Sequence, residues 1–325
     1  MFEDNRLEVE VAIRYYYEHK TQSEIAKELD LSRVKVQRLL QKCMDTGIVR
    51  VLIEDPLVHC INLEKDLKRN FGLKEAYVVM TPSNKTFATR QIAVKAASVF
   101  DSKLRSGMTV GVSWGRMVHE VVNFLEPKGR REVNFVSVVG GLTTKYAVNP
   151  FTIIHKLGEL YHSDVEYLPA PAVVDSTILK EAIMKESLLE SVFRKMDRIE
   201  LCMVGIGNVT ESSTLFETGY VSHHELEDFR AKGAVGEVLL YHYDIYGRII
   251  ESDFHDRMIV IGSDRLKSID TVIGVAGGQD KVESIIGAVL GGFVNVLITD
   301  EDTARRVLEH PVSQTQLSMG KARGS

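Results

Sequence analysis

No stretch of this 325-residue chain approaches ~18 consecutive apolar residues, so no membrane-spanning helix is expected. The opening MFEDNRLEVE is too polar for a secretory signal. Cysteine is scarce. Cys43, Cys60 and Cys202 are odd in number and lack the paired spacing of a metal knuckle. Cys43 and Cys202 sit among apolar neighbours and read as buried thiols, which fits a reducing cytoplasm. His223-His224 and the lone His155, His162, His242 and His255 show no ligand spacing, so no metal site is expected. Gly205-Ile206-Gly207 lacks the third glycine of a dinucleotide fingerprint, which excludes a nicotinamide cofactor, and no other cofactor is implied. There is no internal repeat. Nor is there a basic excess: the net charge is -5. Residues 1–55 hold nine Lys and Arg against eleven Asp and Glu, so any affinity for DNA must come from a local patch.

What is present is an ordinary soluble composition, 44% hydrophobic and 26% charged, at a length suited to two domains. The most informative stretch is TQSEIAKELDLSRVKVQRLLQK, residues 21–42. Thr21 and Glu24 stand at capping-box spacing. Ile25, Ala26 and Leu29 share a helix face, Asp30-Leu31 makes a turn, and Ser32 is a second N-cap. Beyond it Val36, Leu39, Leu40 and Cys43 recur at helical spacing, leaving Arg33, Lys35, Gln37, Arg38 and Lys42 on other faces. From Ser32 to Lys42 there are four basic residues and no acidic one. Two helices at an angle, the second with one apolar and one basic face, suit the major groove of double-stranded DNA. The candidate contacts are Thr21, Gln22, Ser32, Arg33, Lys35, Gln37, Arg38 and Lys42. A solvated helix in an ordinary bundle is the alternative for the same pattern.

A helix over 7–19 precedes this pair, and Ile48–Ile53 reads as a short strand beside it, a wing. A linker helix follows over 57–71. Strand and helix periods then alternate. Strands are expected at 76–80, 109–113, 133–139, 199–206, 271–276 and 294–298. Helices are expected at 86–105, 115–125, 150–161, 178–195, 280–290 and 301–308, with a hairpin-like turn at Asp244–Gly247. This alternation predicts a mostly parallel sheet covered on both faces. The domain limits are therefore 1–55, a linker at 56–71, an α/β domain at 72–310 and a disordered tail at 311–325.

Ligands of such sheets bind outside the carboxyl ends of the strands. Three such ends stand out. Ser113-Trp114-Gly115 opens a helix whose amides could meet an anion. Gly140-Gly141, followed by Leu142, Thr143 and Thr144, could wrap a phosphate. Gly277-Gly278-Gln279-Asp280-Lys281 puts a lysine in a first helical turn, where it opposes the helix dipole unless an anion lies between. Each is equally compatible with a plain strand-to-helix turn. Asp244 could accept hydrogen bonds from sugar hydroxyls, although Asp244-Ile245-Tyr246-Gly247 is also an ordinary turn sequence.

These motifs together resemble the SorC-type sugar-responsive bacterial transcription regulators. The resemblance rests on residues 15–42, VGVSWG at 110–115, the glycines 140–141 and VGIG at 204–207. GAVGEVLLYHYDIYG at 233–247, VAGGQDKVESIIGAVLGG at 275–292 and VNVLITDEDTA at 294–304 add to it. It implies an N-terminal all-α winged helix-turn-helix domain and an α/β effector domain similar in fold to sugar-phosphate isomerases and CoA transferases. It also implies phosphorylated sugars or related small molecules as effectors, and assembly as dimers or tetramers. By the same resemblance, Ser113–Gly115 and Gly140–Thr144 face the phosphate, with Asp244 and Lys281 at the effector. Two residues depart from the pattern. Asp30 stands where a turn glycine is usual, a position aspartate tolerates. Val139 precedes the glycine pair with no lysine beside it, which argues against imine capture of an aldehyde there.

The expected function is that of an effector-controlled, DNA-binding regulator of a carbohydrate operon, not an enzyme. The rival is an enzyme acting on sugar phosphates with an appended DNA-binding domain. No carboxylate–histidine pair in the three loops offers the general base that the rival requires.

Overall fold

The computed structural model describes residues 5–50, 55, 57–81, 85–126, 132–141 and 148–315. The chain separates into two compact units, 1–58 and 59–325.

The first unit consists of helices α1 (Arg6–Tyr16), α2 (Gln22–Glu28) and α3 (Arg33–Asp45). Thr21 and Glu24 close a capping box, with Thr21 N donating to Glu24 Oε2 at 2.7 Å. The Ser32 hydroxyl accepts from Lys35 N at 3.2 Å and starts α3. Between them Asp30 takes a left-handed φ of 51°, the turn the sequence asked of it. Val11, Ile25, Ala26, Val36, Leu39 and Leu40 form the core of the unit. The first helix stops three residues short of the expected His19, which itself turns left-handed. Ile48–Arg50 is not a strand, and residues 51–54 lie outside the described chain, so the expected wing is not described.

The second unit is built on a seven-stranded, wholly parallel sheet of β1 (Glu75–Val79), β2 (Thr109–Val112), β3 (Asn134–Ser137), β4 (Val165–Glu166), β5 (Leu201–Gly205), β9 (Thr271–Val275) and β10 (Val296–Asp300). The spatial order is β1-β10-β9-β5-β2-β3-β4. All five residues of β10 and the first four of β5 are buried, so helices must cover both faces, as parallel sheets require. Helix Leu57–Phe71 contributes Cys60 and Leu67 to this core and is not a bare linker. All three cysteines are buried and free, and burial pushes the Cys202 thiol up to about 12.

Two further expectations differ from the structure, and one sheet was not anticipated. The single helix over 178–195 is two, Thr177–Met184 and Ser187–Met196, broken where Glu186 is extended. Neither glycine nor proline marks that break. Residues 311–315 are helical, with Ser313 buried and bonded to Val307 O at 2.6 Å, so order continues past 310. A second, antiparallel sheet of β6 (Gly207–Asn208), β7 (Gly236–Val238) and β8 (Tyr241–Tyr243) went unread. Its strands are only two or three residues long, too short for a period to show.

The glycine pair after β3 has a packing explanation. Gly140 N donates to Ile259 O at 3.0 Å and Gly141 N to Ala170 O at 2.7 Å, while Val139 bridges Val260. A Cβ at Gly140 would lie 2.6 Å from the Ala170 and Pro171 carbonyl oxygens. Backbone atoms cannot give way as a side-chain tip can. Gly140→Ala is therefore expected to destabilise the protein by about 1–3 kcal/mol, through overpacking, with no ligand present. Denaturant unfolding of the two proteins checks this, and equal midpoints would mean that the crowding is relieved elsewhere.

Candidate functional site

Along the sheet, β2, β3 and β4 progress outward in one direction and β5, β9 and β10 in the other. The connections leaving the carboxyl ends of β2 and β5 therefore diverge, and a crevice opens between them. A cavity of about 320 Å³ lies there, lined from the ends of β2, β5 and β9 and from the small antiparallel sheet.

Each wall has its own construction. After β2, Ser113 is buried and its N–H donates to Met203 O at 3.0 Å. Trp114 is also buried, and Gly115, at φ 115° and ψ 162°, turns the chain into helix Arg116–Asn123. Only glycine adopts that backbone conformation readily. Arg116 reaches across the opening, its Nε 3.2 Å from Thr214 Oγ1 and its Nη2 donating to Ser212 O. After β9, the turn Gly277–Lys281 is pinned from β10. Asp300 accepts from Gly278 N at 3.3 Å and from the Thr303 hydroxyl at 2.6 Å, and its other oxygen takes Thr303 N and the Thr81 hydroxyl, each at 3.0 Å. Thus fixed, the turn presents Asp280 and Lys281 to the cavity.

The remaining charged wall is Glu237 on β7. Leu239 and Leu240, which follow β7, both take left-handed φ values, 52° and 71°. Such conformations cost a residue with a Cβ about 1–2 kcal/mol each. They turn the Leu240 N–H onto Glu237 Oε2 at 3.0 Å. Gly207 on β6 faces the same carboxylate: a Cβ there would come within 2.2 Å of Oε1.

Burial dominates the electrostatics. It pushes the Glu237 carboxyl up to about 7, against the opposing pull of the Leu240 amide and the Lys281 charge. It also lowers the Lys281 ammonium, with Asp280 and Glu237 acting the other way. Asp280 accepts from Asn208 Nδ2 at 2.8 Å, whereas the Lys281 ammonium forms no ion pair with a described residue. A lysine so held suits an anion. Neither histidine nor cysteine is among the lining residues. Among the described residues no group of three or more His, Cys, Asp and Glu could hold a metal ion.

The structure thus brings together Ser113, Trp114, Gly115 and Lys281 of the expected effector residues. Gly140 and Gly141 do not line the cavity, being engaged in the backbone pairing above, and Thr143 and Thr144 lie outside the described residues. Asp244 is a turn residue: Oδ1 accepts from Tyr246 N at 2.9 Å and Arg248 N at 3.0 Å, and Oδ2 pairs with Arg248 at 2.7 Å. Arg116 and Glu237 were missed. Glu237 sits in a strand too short to read, and Arg116 directly follows a motif that was read.

In the first unit Arg33, Lys35, Gln37, Arg38 and Lys42 are all exposed on α3, as are Thr21 and Ser32 at the helix starts, with Gln22 partly so. Lys42 is engaged by Glu8 of α1, Nζ to Oε1 at 2.8 Å, which ties the two helices together. That pairing holds the Glu8 carboxyl below the usual range. Val34, 57% exposed on the same helix, is an apolar residue that the basic pattern concealed.

Comparison with known proteins bears on both units. Residues 55–309 match the Sugar-bind family, a sugar-binding domain. The chain is 31% identical over 309 residues to the deoxyribonucleoside regulator of Bacillus subtilis, covering 94% of this chain and 98% of that one. It is 32% identical over 310 residues to the transcriptional regulator LsrR of Klebsiella pneumoniae, covering 94% and 93% respectively. The crystal structure of the full-length sorbitol operon regulator SorC from Klebsiella pneumoniae superimposes with a TM-score of 0.74 at 28% identity, over 95% of this chain and all of that one.

Proposed function

Since the chain belongs to the SorC-type family of sugar-binding transcriptional regulators, we propose that it binds operator DNA through α2 and α3 and answers to a phosphorylated sugar or polyol held in the cavity beside Lys281. In this reading α2 and α3 form a helix-turn-helix, and the second unit is an isomerase-like effector domain working without a catalytic step. The protein acts in the cytoplasm as a dimer or tetramer. One observation carries the effector reading: a half-buried lysine with no ion-pair partner among the described residues lines a cavity at the point where the strand order reverses. The DNA reading rests on the exposed basic face of α3, its opposite face being fully used in the core.

Arg38 projects from the solvent face of α3. Arg38→Ala is expected to weaken operator binding by about 1–3 kcal/mol, the value of a bidentate contact with guanine. Gel retardation at fixed salt checks it. Unchanged affinity in both Arg38→Ala and Gln37→Ala would remove α3 from the groove.

Specific binding at cellular salt generally needs two half-sites, so the protein should be at least dimeric. Light scattering at micromolar concentration should give a multiple of 36.5 kDa. A monomer mass with full operator affinity would contradict the assembly.

The effector site is tested with Lys281→Met, which keeps the apolar stem and removes the charge. Charge-assisted hydrogen bonds contribute roughly 1.5–3 kcal/mol each, so the effector midpoint on the operator complex should rise about ten-fold or more. Operator affinity without effector should stay near normal. Equal midpoints would exclude Lys281 from the site.

A further inference from the structure

Glu237 is an unusual neighbour for an anion. Its strand brings it to the wall of the cavity that also holds Lys281, and only one of its oxygens, Oε2, is occupied, by the Leu240 amide. Oε1 has no donor among the described residues and lies against Gly207, another residue of the cavity wall. An ionised carboxylate in this position would repel any anion drawn to Lys281. A protonated one would donate to it.

We propose that Glu237 makes capture of the effector anion proton-linked: the ligand binds with this carboxyl protonated, and Oε1–H donates to an oxygen of the anion held by Lys281. This rests on the anion reading of the cavity given above. On binding above neutral pH, one proton leaves solvent for Glu237 and no covalent bond changes.

The surrounding groups single out Glu237 as the residue that titrates. Lys281 and Asp280 face it from the turn after β9, with Arg116 and Glu120 across the cavity on helix Arg116–Asn123. Tyr243 on β8 interacts with it electrostatically but is committed to Ser284 O at 2.9 Å, and its hydroxyl is pushed far upward by burial. Asp280 is bonded to Asn208. With neither histidine nor cysteine among the described lining residues, the carboxyl displaced to about 7 is the group that changes charge through neutrality. Lys281, whose ammonium is lowered, loses charge in the same sense as pH rises, and the variant below separates the two.

The test uses the full chain and sulfate, an anion with no protonation step between pH 6 and 8.5. Trp114, the single tryptophan of the sequence, lines the cavity and reports occupancy by its fluorescence. Apparent affinity scales with the binding-competent fraction, so the wild type should bind sulfate about ten-fold more weakly at pH 8 than at pH 6. Glu237→Gln, which keeps an N–H donor at the same place, should hold the tighter affinity across the range. Calorimetry of the wild type at pH 8 in two buffers of different ionisation enthalpy should register uptake of close to one proton, independently of how well the variant folds. Affinity that is flat or rises with pH in the wild type, or no proton uptake, overturns the proton link while leaving the anion site intact. No sulfate binding at any pH in either protein overturns the anion reading and the link together.

Discussion

Because all seven strands of the large sheet point the same way, every loop leaving a strand's carboxyl end emerges at one edge. The chain must return along the far side after each strand, which forces the alternation of strand and helix and buries both faces. The reversal between β5 and β2 then decides where that edge parts. The cavity, the Arg116 bridge and the Gly277–Lys281 turn all follow from that one change of direction.

Holding a pocket there needs supports that lie outside it. Asp300 spends both oxygens on the turn that presents Lys281 and on the start of the following helix. Buried carboxylates satisfied by several donors fix geometry closely, since every displacement leaves a donor unmatched in a poorly solvating interior. Glu237 is the opposite case. Half-buried at the cavity wall, it has one amide bond, from Leu240, and among the described residues no donor to its other oxygen.

The sequence made much of this legible, and its silences have physical causes. The helix pair at 21–45 announced itself through Thr21, Glu24 and Ser32, whose capping chemistry is local and needs no tertiary context. The strands of the large sheet showed as short apolar runs ending in glycine or serine turns. By contrast β6, β7 and β8 are too short to carry a period, and Glu237 within them was invisible as a wall residue. Helix His223–Ala231 did carry a signal: Ser222 and Glu225 form a capping box at the same spacing as Thr21 and Glu24. The glycine pair at 140–141 is ambiguous for a different reason. Glycine marks close approach, and sequence alone does not say whether a ligand or another backbone is approaching. Lys42 was legible as a cation, but its engagement with Glu8, thirty-four positions earlier, was not.

The leucine pair after β7 has a consequence for what substitution can reach. Leu239 and Leu240 are both in the left-handed region, where glycine would relieve strain, yet their side chains are 3% and 0% exposed. Truncating a buried leucine costs about 2–5 kcal/mol, more than the strain of about 1–2 kcal/mol that a glycine would relieve. Neither position can be improved one residue at a time. The backbone is thereby locked into an awkward turn by its own side chains. The amide that meets Glu237 is protected from drift by apolar packing, to which Leu239 contributes while also lining the cavity.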